Sequence, residues 1–153
     1  MSRVLLDTNV LSELVRTRPE PQVVAFVRAQ SDPLISALTI HEIAYGAERA
    51  PDPVHRARLI AWVAQIRSQF AGRIVEIDAD IAEQAGRLRA AAAAQGASDD
   101  PIDALIAACA LARAASVVTR SVGVSLPMAS PSSTLGRPDS GEPQPTFRSR
   151  PAQ

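Results

Sequence analysis

The sequence predicts an α/β domain, three layers deep, with a mainly parallel central sheet of about four strands flanked by helices. Three observations carry this. Short apolar runs at Val4-Leu5-Leu6, Leu34-Ile35-Ser36, Ile74-Val75-Glu76-Ile77 and Ser116-Val-Val-Thr119 are separated by longer stretches with helical periodicity. The first run is unbroken and not alternating, which suits a strand covered on both faces. Strands and helices alternate along the chain, the order expected of a largely parallel sheet.

The first run, Arg3 to Val10, stops abruptly at Asp7. In open α/β sheets ligands gather beyond the carboxyl ends of the strands, so an acid there is well placed to hold a cation. Asp7 or Asn9 can equally cap the helix that follows, and local sequence leaves both readings open. That helix places Val10, Leu11, Leu14 and Val15 on one face until Pro19 and Pro21 interrupt it. A second helix, from about Pro21 to Ala29, buries Val23, Val24 and Val27.

After the second strand, Ala37 to Ala50 reads as a capped helix with Ile40, Ile43, Ala44 and Ala47 as its stripe. Glu42 lies off the middle of that stripe, where a glutamate is ordinarily solvated or paired with an arginine such as Arg49. His41 has no His or Cys partner at metal-ligand spacing and reads as a surface residue. Pro51 and Pro53 precede a long helix, about Val54 to Phe70, with apolar Leu59, Trp62, Val63 and Ile66; Gly72 ends it. Asp78 caps the next helix, through Ile81, Ala85 and Leu88 to Ala94, which Gly96 closes. Asp100 and Pro101 then open a helix with Ile102, Leu105, Ile106 and Cys109 as its expected stripe. Asp103 falls in the first turn, where the helix dipole stabilises a carboxylate by about 0.3–1 kcal/mol.

A chain of 153 residues is enough for one core and hardly two. Residues 1–122 are expected to fold as the domain. Residues 123–153, with six of the chain's prolines among Ser, Gly and Arg, are expected to form an irregular tail. Hydrophobic residues make up 46% and charged residues 21%, ordinary for a soluble domain, and no apolar run approaches the roughly 20 residues of a bilayer span. No basic region followed by an apolar core opens the chain, so no secretion signal is expected and cytoplasm is the default. Cys109 is the one cysteine, which excludes an internal disulfide and suits a reducing compartment. Net charge is zero and every basic residue is arginine, so contact with nucleic acid must rest on a local patch.

Three separated motifs resemble those of PIN domains, in particular the VapC-type toxins of bacterial toxin–antitoxin pairs and their FitB-like branch. They are Leu5-Leu-Asp7-Thr-Asn9-Val10, Ser36-Ala-Leu-Thr-Ile-His-Glu42-Ile-Ala-Tyr-Gly46, and Ile102-Asp103-Ala-Leu-Ile-Ala-Ala-Cys-Ala110 with Val118-Thr-Arg120. Each is weak alone; their order and spacing across residues 3–121 make the resemblance specific.

The resemblance implies a metal-dependent endoribonuclease, the toxin of a type II pair, in which Asp7, Glu42 and Asp103 are the catalytic acids and bind Mg²⁺ or Mn²⁺. It further implies a cognate antitoxin, an RNA substrate and a homodimer, with no membrane. The three carboxylates are expected to converge on one cation. Asn9, Thr119 and Ser121 are candidates for polar support. The chain departs from the pattern at Ser121, where members carry asparagine, and at Val124, where they carry a further aspartate. The alternative is therefore a catalytically weakened PIN module that still binds its antitoxin and acts in autoregulation. A phosphatase of the haloacid dehalogenase type also begins with strand and aspartate, but needs a second acid where Asn9 stands.

Overall fold

The computed structural model describes residues 3–119. Chain order is β1 (Arg3–Leu6), α1 (Thr8–Leu14), α2 (Pro21–Ala29), β2 (Ile35–Ser36), α3 (Ala37–Arg49), α4 (Pro53–Gln69), β3 (Ile74–Val75), α5 (Ala79–Ala94), α6 (Pro101–Ala112) and β4 (Ala115–Val118). The helix boundaries follow local chemistry. Side chains of Asp7, Ser36, Asp52, Asp78 and Asp100 each accept a backbone N–H in the first turn, and prolines open α2, α4 and α6. Gly72 and Gly96 supply positive φ where α4 and α5 end.

Among the described residues, all strand pairing is parallel. β1 pairs with β4 from Arg3 opposite Ala115 to Leu6 opposite Val118, and β2 pairs with β3. A parallel bridge from Leu5 to Leu34, with Leu6 N–H donating to Leu34 and Leu34 N–H to Val4, joins the pairs in the order β3-β2-β1-β4. β1 is thus interior to the sheet, and its residues divide by parity. Val4 and Leu6 enter a core with Val10, Leu11, Val23, Ile35, Ile43, Ile66 and Phe70, built from α1 to α4. Leu5 turns to the other face, with Leu34, Val75, Ile81, Ala85, Ala104, Ala108, Cys109 and Ala110, under α5 and α6. The unbroken apolar run is explained by this two-sided cover.

Some side chains differ from the periodic reading. Val15 is 51% exposed, because α1 ends at Leu14, and Glu13 is buried in its place. Its carboxylate accepts the Glu20 N–H at 3.1 Å and pairs with Arg16 at 3.1 Å, so it ties the α1–α2 connection instead of meeting solvent. In α6 the small Ala104, Ala108 and Ala110 lie deepest with Cys109, while Leu105 and Ile106 are only partly buried. Alanine there lets the helix backbone approach α5 and the sheet closely. β3 is two residues long and stops before Glu76-Ile77. The tail expected over residues 123–153 lies outside the described residues. Among the described residues, no helix is long and apolar enough to cross a membrane.

Candidate active site

Asp7 is the residue at which β1 gives way to α1. Its N–H donates to the Val118 carbonyl at 3.0 Å, continuing the β1–β4 ladder, while its side chain leaves the sheet. One carboxylate oxygen accepts the Thr8 N–H at 2.7 Å; the other accepts from Asn9 Nδ2 at 3.3 Å. The two readings of Asp7, cap and site residue, are therefore compatible, since capping holds the half-buried carboxylate at the strand end.

Glu42 arrives from α3, whose start is fixed by the Ser36 cap at the carboxyl end of β2. It is half-buried, and its Oε2 accepts a hydrogen bond from the Thr8 hydroxyl. Thr8 thus links the first and second acids: its backbone donates to Asp7 and its side chain to Glu42. Nothing in the sequence pattern singled out Thr8. Its role depends on two segments 34 positions apart meeting at the sheet edge.

Asp103 reaches the same edge by topology. α6 runs back into β4 through Arg113 and Ala114, so its first turn stands at the carboxyl end of β4. Asp103 lies nine residues before Ala112, about 13 Å at 1.5 Å per residue. Asp7 lies four residues beyond Arg3, the partner of Ala115, also about 13 Å. Both counts run toward the end of the sheet at which β1 and β4 stop. Asp100 accepts the Ile102 and Asp103 N–H groups at 2.7 and 3.1 Å, and leaves the exposed Asp103 carboxylate in the first turn.

Among the described residues, no three His, Cys, Asp or Glu side chains are gathered closely enough to hold a metal ion. Asp7 and Glu42 are joined through Thr8, and Asp103 does not close a three-carboxylate group with them. Two carboxylates at 4 Å repel by about 4 kcal/mol at an effective dielectric of 20, a cost that a bound cation would offset. In kind, the donor set fits a hard divalent cation, since all three offer carboxylate oxygens. Thr119 directly follows β4 and is half-buried at the same edge; Ser121 and Val124 lie outside the described residues. Cys109 is fully buried on the inner face of α6, and burial, reinforced by the Asp78 charge and opposed by Arg113, pushes its thiol above the ordinary range. It is packing, not site chemistry.

A groove of about 550 Å³ lies on the α1–α2–α4 side, lined by Leu11, Leu14, Val27, Trp62, Ile66 and Phe70 among others. It accounts for apolar surface on α4, of which Ile66 is the one residue fully buried.

The family model described as PIN domain matches residues 4–121. The chain is 33% identical over 123 residues to toxin FitB of Neisseria gonorrhoeae, covering 78% of this chain and 88% of that protein. It is 31% identical over 120 residues to the tRNA(fMet)-specific endonuclease VapC of Shigella flexneri, covering 78% and 86%. The crystal structure of FitAcB from Neisseria gonorrhoeae superposes with a TM-score of 0.71 at 33% identity, over 76% of this chain and 86% of that one. DNA-bound VapBC from Salmonella typhimurium gives 0.63 at 30% identity, over 76% and 85%. With the fold, the strand-end acid and the sequence likeness in agreement, this chain belongs to the PIN domain family, among toxins of the FitB and VapC type.

Proposed function

We propose that this chain is a metal-dependent endoribonuclease, the toxin of a type II toxin–antitoxin pair, hydrolysing RNA phosphodiester bonds at the carboxyl edge of its sheet. The observation that carries the reading is the Asp7–Thr8–Glu42 linkage; Asp103, in the first turn of α6, would be the third acid. Asp7, Glu42 and Asp103 would hold Mg²⁺ or Mn²⁺, which when bound supplies a polarised phosphate oxygen and an acidified water. Thr8 orients Glu42, Asn9 orients Asp7, and the Asp100 cap sets the start of the helix that carries Asp103. Thr119 and Ser121 stand next in the chain as polar support where members carry an acid nearby. The neighbours FitAcB and VapBC support an antitoxin partner, and the apolar groove beside α1 and α4 is the surface we assign to it. A homodimer, a cytoplasmic location and a domain ending near residue 122 complete the proposal.

The second reading, a catalytically weakened module that still binds its antitoxin, is favoured by the ungrouped carboxylates and by Val124 in place of an acid. One experiment separates them: the purified full chain is incubated with labelled RNA and Mn²⁺ or Mg²⁺, beside Asp7→Asn. Metal-dependent cleavage lost in Asp7→Asn supports the nuclease. No cleavage by the parent chain, with cleavage appearing in Val124→Asp, supports the weakened module.

A further inference from the structure

Three residues spaced four apart on α3, His41, Tyr45 and Arg49, form a column on its exposed side. The His41 and Tyr45 rings are nearly parallel, 14° apart, with centroids 6.4 Å from each other. Arg49 holds its guanidinium 5.3 Å from the Tyr45 ring centroid and donates to the Tyr45 hydroxyl at 2.9 Å. Tyr45 is the only tyrosine of an aromatic-poor chain, and it is 56% exposed while Phe26, Trp62 and Phe70 pack into the core. Glu42 precedes Tyr45 by three positions, so the two are neighbours on the helix surface.

We propose that His41 and Tyr45 form a stacking site for one nucleobase of single-stranded RNA, beside the scissile position, with Arg49 facing its backbone. The exposed column carries the argument: two near-parallel rings, their centroids 6.4 Å apart on the solvent side of α3, offer an unpaired base a ready aromatic face to stack against. Aromatic faces and arginine are the groups by which proteins hold unpaired bases, and stacking tolerates any base sequence. The inference rests on the ribonuclease reading, since it adds a substrate contact to the same edge.

The test uses full-length protein carrying Asp7→Asn in every sample, so that RNA stays intact, and a fluorescein-labelled decauridylate read by anisotropy in Mg²⁺. Tyr45→Ala should weaken binding by about 5- to 100-fold, while Tyr45→Phe, which keeps the ring, stays within about twofold. Against an abasic oligoribonucleotide the two variants should bind alike. Arg49→Gln should lower the salt slope of log affinity by about 0.7. Equal affinity of Tyr45→Ala and Tyr45→Phe for decauridylate overturns the site. So does a change of molar mass in Tyr45→Ala by light scattering, which would make this face a contact between copies. If the unsubstituted chain cleaves RNA while these variants bind alike, the ribonuclease reading stands and the stacking site falls. If it neither binds nor cleaves, both fall.

Discussion

Asp100→Ala removes the acceptor that starts α6, and its effect follows from the geometry. Two backbone donors, on Ile102 and Asp103, lose a partner at 2.7 and 3.1 Å. Replacing such a cap by alanine costs about 0.5–2 kcal/mol. Asp100→Asn keeps the acceptor and forfeits only the charge–dipole part, about 0.3–1 kcal/mol. For the 117 described residues the unfolding entropy is near 0.25 kcal/mol/K, so a loss of 1 kcal/mol lowers Tm by about 4 °C. Urea titrations followed by circular dichroism should give the order parent, Asn, Ala in midpoint, with slopes unchanged. Because the same cap fixes the first turn carrying Asp103, RNA cleavage by Asp100→Ala should fall even where the protein is fully folded. Asn and Ala variants of equal stability would refute the hydrogen-bond account. A stability loss without any change in cleavage would refute the link from cap to Asp103.

Thr8→Val keeps the shape and removes the donor to Glu42, and should lower cleavage about tenfold or more with a Tm within a few degrees of the parent; unchanged rates would show that the linkage is incidental. Ala114 has a φ of 49° at the turn between α6 and β4, so Ala114→Gly should raise stability by about 0.5–1 kcal/mol in urea, since the left-handed region disfavours a Cβ. Cys109 titrates higher folded than unfolded. Its neutral form therefore contributes stability below the unfolded thiol value, about 8.5, and that contribution is lost as pH rises toward the folded value. Cys109→Ala should flatten this alkaline loss in a stability–pH series, and the native thiol should resist a disulfide reagent at pH 8. Leu5→Ala, at a side chain 1% exposed between α5, α6 and the sheet, should cost about 2–5 kcal/mol by urea titration.

What the sequence by itself determined was local. The unbroken run at Val4-Leu5-Leu6 suited a strand covered on both faces, and the helix starts at Ser36, Asp78 and Asp100 could be read from caps and prolines, because those signals act within one turn. The acids Asp7, Glu42 and Asp103 could be named only through the order of three motifs, since each alone reads equally well as a cap or a solvated flank. The tertiary structure decided the rest. It buried Glu13 and exposed Val15, because the end of α1 and the return of Glu20 are not periodic properties. It also made alanines, not leucine and isoleucine, the deepest residues of α6, since close approach of α5 rewards small side chains. Thr8 became the link between Asp7 and Glu42 only when β1 and β2 lay side by side, a register set by pairing between distant segments.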